Sequence, residues 1–332
     1  MGPGDLEAIL SSLPLPSSPE LLVGVETCDD AAIYKLSEDT ALVQTLDFFT
    51  PISDSPKIFG EIAAANALSD VYAMGGRPIT ALNILCFPST EDDKALAEGI
   101  LKGAHKKCQQ ANCLVVGGHT VEDDTVKFGL SVSGLVDPKS FWPNSGACPG
   151  DCLILTKPIG TGIVLTALLA ELDEQDHRDI CYASMARLND KAVEIARAEG
   201  FRINGATDIT GFGLLGHACE MARASNVELK LRQAEIPLLP GVLDYASMGL
   251  VPAGAMRNRE NFHEQVDLPK ELSPEYRDVL FDAQTSGGLL LSLAEKESEN
   301  FLSFLHQRGD KEARIIGRVK SGPAKVAIDD GD

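Results

Sequence analysis

Two apolar periods take turns along this chain, and that alternation limits its fold more than any other feature. Short β-rich runs, "TALVQTLDFF" (40–49), "ITALNILCF" (79–87), "CLVVGGHT" (113–120) and "VKFGLSVSGLV" (126–136), read as strands, the third ending in a glycine turn. Between them lie a helix opening at Pro56 and an amphipathic helix over 92–112. Strands with helices segregated among them predict an α+β fold, helices packed on one face of a sheet. Pro, Gly, Asn and Ser then cluster in "PNSGACPGD" (143–151), and the pattern restarts with strand "CLILT" (152–156), a "KPIGTG" loop and a helix from about Ile163. Strand "VELKLR" (227–232), "SGGLLLSLA", a helix through "ESENFLSFLHQRG", and strands "ARIIGRV" and "AKVAI" complete it. The 332 residues suit two domains. The expected division is a mobile connector over 1–20, with "SSLPLPSSPE" at 11–20, an N-terminal domain over 21–150 and a C-terminal α+β domain over 151–332.

Charge narrows the function. The chain carries 49 acidic and 29 basic side chains, a net charge of −20, which repels nucleic acid and anionic membrane. A polyanionic substrate would need bound metal. No apolar run reaches the roughly 18 residues that span a bilayer, and "MGPGDLEAIL" has no secretory pattern, so the expected location is cytoplasmic. The eight cysteines form no C-x-x-C pair and read as reduced thiols.

One helix carries an anomaly. Ser55 caps it, Pro56 suits its first position and Gly75 can end it in the left-handed conformation. Ile58, Phe59, Ile62, Ala63, Ala67, Val71 and Met74 give it an apolar surface, while Asn66, Ser69 and Asp70 gather in one polar patch near its end. A carboxylate at a helix C-terminus opposes the helix dipole, and Asp70 has no Lys or Arg within a turn upstream. Other acids also sit at turns or element ends: Asp29 and Asp30 in "VETCDDAAIY", Asp47 in "TLDFF", Asp208 before the glycine-rich "TGFGLLGH". Mg²⁺ is usually held by one or two carboxylates while phosphate oxygens complete its shell, so convergence of these acids would make a site for a metal-bridged nucleotide. Taken singly, each Asp is more readily structural. "GFGLLG" (211–216) matches a dinucleotide fingerprint, yet "GATDIT" before it does not read as an apolar strand; no P-loop occurs. "GGHT" (117–120) could present N–H groups to phosphate or be a simple tight turn, and His119 and His217 lack triad partners.

Several phrases in order, "TCDDAAIY", "TLDFFTPI", "ANALSDVYAMGGRPITALNIL", "VVGGHT", "LTKPIGTG", "TDITGFGLLGHACEM", "IPLLPGV" and "DAQTSGGLLLSL", resemble the selenophosphate synthetase family, within the aminoimidazole ribonucleotide synthetase-like superfamily. The resemblance runs from about residue 20 to the end. It implies conversion of ATP, selenide and water to selenophosphate, orthophosphate and AMP, with Mg²⁺ required and K⁺ commonly stimulating. It implies a homodimer whose N-terminal sheets close a shared barrel. By position, Asp30, Asp70 and Asp208 match magnesium-binding acids. Thr27, Cys28, Asp29, Asp47, Asp70, Gly118, His119 and Thr120 match nucleotide-binding positions, the last three on a segment able to reach a partner's nucleotide. The family's Cys or selenocysteine, followed three residues later by Lys, falls upstream of Gly2, so the chain as given is expected to bind Mg-ATP and make little or no selenophosphate. Cys28 is a poor substitute, since Asp29 and Asp30 disfavour its thiolate. Ala283 replaces a usual Pro, an expected harmless change. A small-molecule kinase of the same superfamily and a non-catalytic nucleotide-binding module are the competing readings.

Overall fold

The computed structural model describes residues 17–25, 29–88 and 93–329. Its first sheet contains β1 (Leu21–Val23), β2 (Ala32–Lys35), β3 (Ala41–Phe49), β4 (Arg77–Phe87), β5 (Leu114–Glu122) and β6 (Lys127–Val136), in the order β1-β2-β3-β6-β4-β5. Helix α1 (Pro56–Ala73) joins β3 to β4, and α2 (Asp93–Gln110) is the crossover that lets β4 and β5 pair in parallel.

The start of α1 follows its chemistry: Ser55 Oγ accepts the Ile58 N–H at 3.4 Å, and Pro56 opens the first turn. Gly75, at φ +69°, ends it. Where the sequence predicts an apolar surface with one polar patch, nearly every residue from Phe59 to Ala73 is buried. Alanines at 63, 64, 65 and 67 let neighbours come close on all sides, and a Cβ on Gly60 would stand 2.0 Å from Ile100 O of α2. The helix lies between the first sheet and the second half, so its polar patch faces protein.

The second sheet runs β10-β13-β9-β12-β7-β11-β8, from β7 (Asp151–Leu155), β8 (Ile203–Asp208), β9 (Glu228–Arg232), β10 (Val266–Asp267), β11 (Leu289–Ala294), β12 (Arg314–Lys320) and β13 (Lys325–Asp329). Its helices are α3 (Thr161–Leu169), α4 (Gln175–Ala186), α5 (Asp190–Glu199), α6 (Gly213–Ser225), α7 (Val242–Ser247), α8 (Ala253–Phe262), α9 (Pro274–Leu280) and α10 (Glu295–Gln307). The stretch 143–151, predicted as a break, lies between β6 and β7 and contains a short 3-10 turn, Asn144–Gly146.

Two local expectations are corrected. "GGHT" is no turn: Gly117 to Thr120 are inside β5, in register with Leu82 to Leu85 of β4. The glycine is needed for close approach, since a Cβ on Gly118 would sit 2.3 Å from Asn83 O. "GATD" is strand: it belongs to β8, which is nearly all buried against β11. Its small and polar residues hide the apolar signal, and tertiary burial makes the strand. Because β8 pairs antiparallel with β11, "GFGLLG" still does not open a parallel dinucleotide-binding unit.

Candidate active site

Four of the acids reach one place from four elements. Asp30 precedes β2, Asp47 lies near the end of β3, Asp70 is in the last turn of α1 and Asp208 ends β8. Asp70 and Asp208 are 8% and 2% exposed. Thr207 Oγ1 donates to Asp30 Oδ1 at 3.0 Å, Asn66 Nδ2 to Asp47 Oδ2 at 2.7 Å, and Thr45 Oγ1 to Asp70 Oδ2. Ser69 hydrogen-bonds Asp208, which also lies against Asp30. The polar patch of α1 therefore spreads to three partners: Asn66 to Asp47, Ser69 to Asp208, and Asp70 to Thr45.

This crowding makes ionisation costly. Burial, then the Asp208 and Asp29 charges, hold Asp30 well above the usual carboxylate range, against the Thr207 hydrogen bond. Burial, then the charges of Asp47, Asp208 and Asp30, do the same to Asp70. Asp47 is pushed up to about 6, by burial and then by Asp208. Burial also raises Asp208, while Ser69, His217 and Lys157 pull it down. Asp30 Oδ2 and Asp208 Oδ2 are both buried with no hydrogen-bond partner. Two orphaned carboxylate oxygens among mutually repelling acids are the donor set a hard divalent ion takes. Among the described residues no three such groups close on one point at ligand distance, so oxygens from a ligand or water would have to complete a shell.

The other predicted positions divide. Asp29 is near but turned to the connecting segment, its Oδ1 accepting Asn144 N–H at 2.6 Å. Thr27 and Cys28 lie outside the described residues. Gly118, His119 and Thr120 are exposed on β5, with β6 and β4 between them and β3, about 14 Å at the usual strand spacing. The chain does not bring them to its own acids.

The chain matches two family models, the AIR synthase related protein N-terminal domain over residues 28–136 and the C-terminal domain over 148–330. It is 48% identical over 320 residues to "Selenide, water dikinase" of Clostridioides difficile (strain 630), covering 96% of this chain and 91% of that protein. It is 48% identical over 328 residues to "Selenide, water dikinase 2" of Peptoclostridium acidaminophilum, covering 99% and 93%. The chain belongs to the selenide, water dikinase family. The fold extends beyond selenide, water dikinases. It is shared with thiamine-monophosphate kinase from Stenotrophomonas maltophilia K279a (TM-score 0.66, 19% identity, 98% of this chain and 95% of that one). It is shared too with hydrogenase maturation protein HypE in complex with ATP (TM-score 0.66, 20% identity, 98% and 92%).

Around the acids, this selenide, water dikinase family member has a set of buried residues that sequence reasoning gave no role. Asn189 Nδ2 donates to Ser69 Oγ at 2.8 Å and Gly287 O at 2.9 Å. Asn66 Oδ1 accepts the Ser286 N–H at 3.0 Å. Lys157 Nζ, buried, donates to Arg187 O at 2.7 Å and Ser286 O at 3.0 Å, and burial with the Arg187 charge lowers its pKa to about 7. Ser286 holds a left-handed φ of +50°. The turn before β11 is thus gripped by α1 and the second half at once. The available signal was its phrase "DAQTSGG" and the Lys in "LTKPIGTG", which carried the family resemblance without a mechanism.

Proposed function

We propose that this chain is a selenophosphate synthetase, using ATP, selenide and water to give selenophosphate, orthophosphate and AMP. The carrying observation is the meeting of Asp30, Asp47, Asp70 and Asp208 from both halves, with the buried Oδ2 atoms of Asp30 and Asp208 unpartnered. These acids by themselves repel a triphosphate. Asp30, Asp70 and Asp208 are read as the ligands that would hold Mg²⁺, and Mg²⁺ when bound would neutralise phosphate charge and clamp the reacting phosphates. Asn66 and Ser69 orient Asp47 and Asp208, and the Thr45 and Thr207 hydroxyls fix the oxygens of Asp70 and Asp30, so the donors are set before substrate arrives. Thr27, Cys28, Asp29 and Asp47 complete the nucleotide-side reading, and K⁺ is an accessory ion with no residue assigned.

Gly118, His119 and Thr120 fit this scheme across a homodimer. Edge strand β5 and its neighbours expose Leu82, Leu114, Val116 and Val121, at 46%, 68%, 58% and 47%, an apolar face a second copy's sheet would cover to close a barrel. The reading assigns nucleotide binding and dimerisation to 21–150, the C-terminal domain to 151–332, and the cytoplasm as the compartment. Among the described residues seven cysteines are free and no helix is long and apolar enough to cross a membrane. The test is product identity, in protein that carries the family's Cys or selenocysteine and Lys segment. Selenide-dependent release of AMP and orthophosphate is expected; ADP as the product would refute the dikinase reading in favour of a small-molecule kinase.

A further inference from the structure

The two halves also meet over a cleft of about 550 Å³, whose wall at Gly75 follows the helix end that carries Asp70. Thr40, on its wall, is seven residues before Asp47 along β3, about 23 Å at the rise of an extended strand. Arg77, the first residue of β4, and Arg197, in the last turn of α5, both line it. Arg197 Nη2 donates to Gly75 O at 2.8 Å, and among the described residues neither guanidinium has a carboxylate partner. Burial, then the charge of Arg77, lowers the Arg197 pKa, so the two cations feel each other. Both side chains reach solvent, which screens their repulsion and leaves them open to an anion.

Two carboxylates also line the cleft, and both are engaged by their own loops. Asp39 Oδ1 accepts Ser37 Oγ at 2.6 Å and Thr40 Oγ1 at 3.4 Å, and Asp137 Oδ1 accepts Lys139 N–H at 2.9 Å. The Arg77 guanidinium and the remaining N–H groups of Arg197 are thus donors with no carboxylate partner, and the cleft volume falls in the range that holds small ligands. Paired arginine forks match a tetrahedral dianion better than any other common group.

We propose that this cleft is a second binding site, for a small phosphate-bearing anion held between Arg77 and Arg197 at the seam of the two halves. It stands apart from the dikinase reading and survives that reading's failure.

The chain supplies its own reporter. Trp142 is its single tryptophan and lines the cleft, and Gly75 packs so closely on the indole that a Cβ there would lie 2.9 Å from the ring. An anion drawing Arg197 from Gly75 O changes the surroundings of that indole. The experiment titrates the full chain, in EDTA, with inorganic phosphate and separately with AMP, reading Trp142 fluorescence and calorimetric heat. Without metal, the acid cluster repels both probes. Saturable binding is expected, weakened at least about tenfold in Arg77→Gln and in Arg197→Gln, the worth of one charge-assisted hydrogen bond, and unchanged in Asp70→Asn. Arg77→Gln is the decisive variant, because among the described residues the Arg77 side chain has no other hydrogen bond to lose. Tighter binding of AMP than of phosphate assigns the site to a nucleotide, and equal binding assigns it to the phosphate group alone; either supports the proposal. No saturation with either probe, unchanged affinity in Arg77→Gln, or loss of binding in Asp70→Asn overturns it.

Discussion

Asp47→Asn tests whether the acid cluster costs the empty protein stability. In the folded chain Asp47 is raised from 3.8 to about 6, by burial first and by Asp208 second. The native state therefore holds a proton that the unfolded chain has released between about pH 4 and pH 6. The stability from that proton is fully present below about pH 4 and lost as pH rises through about 6. A rise of this size corresponds to about 3 kcal/mol, and partial solvent access brings the expected share down to about 1.5–3 kcal/mol. Asparagine keeps an oxygen to accept from Asn66 Nδ2 and titrates nothing. With ligand absent, the variant should match the parent near pH 4 and exceed it by that amount at pH 7.5. At about 2–4 °C per kcal/mol, the rise in Tm should be several degrees. The assay is thermal unfolding in EDTA across pH 4–8, and the difference between the two curves removes the titration of the acids outside the cluster. The same variant should gain less stability from Mg-ATP than the parent does. A variant less stable than the parent at pH 7.5 in EDTA, or one with an unchanged pH slope, would refute the reasoning.

Asp70→Asn and Asp208→Asn should each weaken Mg-ATP binding by at least about tenfold in calorimetry while far-UV circular dichroism stays native; unchanged affinity would make the acids structural. Chelating divalent ions should abolish ATP binding by the parent, since four crowded carboxylates, two of them buried, are left facing the triphosphate. Asn189→Ala removes the donor to Ser69 Oγ and Gly287 O and should cost about 1–3 kcal/mol in denaturant unfolding. Val116→Glu, 58% exposed on β5, should shift the chain to monomer in light scattering while Tm changes little; a persistent dimer would remove β5 from the interface.

The elements that could be read from sequence were those whose local chemistry agrees with their surroundings. Ser55, Pro56 and Gly75 bound α1 by short-range rules, and β3, β4 and β6 carry ordinary strand patterns, so their limits fall within a few residues of expectation. β8 and the centre of β5 were obscured for opposite reasons. The first is a strand made by burial of small and polar residues, and the second hides its strand behind glycines that β4 needs for close approach. Asp70 was conspicuous because it violates a local rule, the preference for a cation at a helix end. Its partners Asp30, Asp47 and Asp208 stood out only as acids at turns or element ends, because they break no local rule and meet only through the tertiary fold.

That difference also explains why α1 has almost no solvent face beyond its first turn. A helix that carries Asp47's clamp, Ser69 and Asp70 on consecutive turns, and must present them to β3 and to the second half, needs protein on every side of its polar patch. Its alanines make this possible by admitting α2, the first sheet and the second half at short range. The cost of burying a carboxylate at the wrong end of a helix dipole is then held by the whole interface between the halves. No single local contact carries it. Breaking the grip on the turn before β11 should therefore disturb the acids as surely as changing one of them.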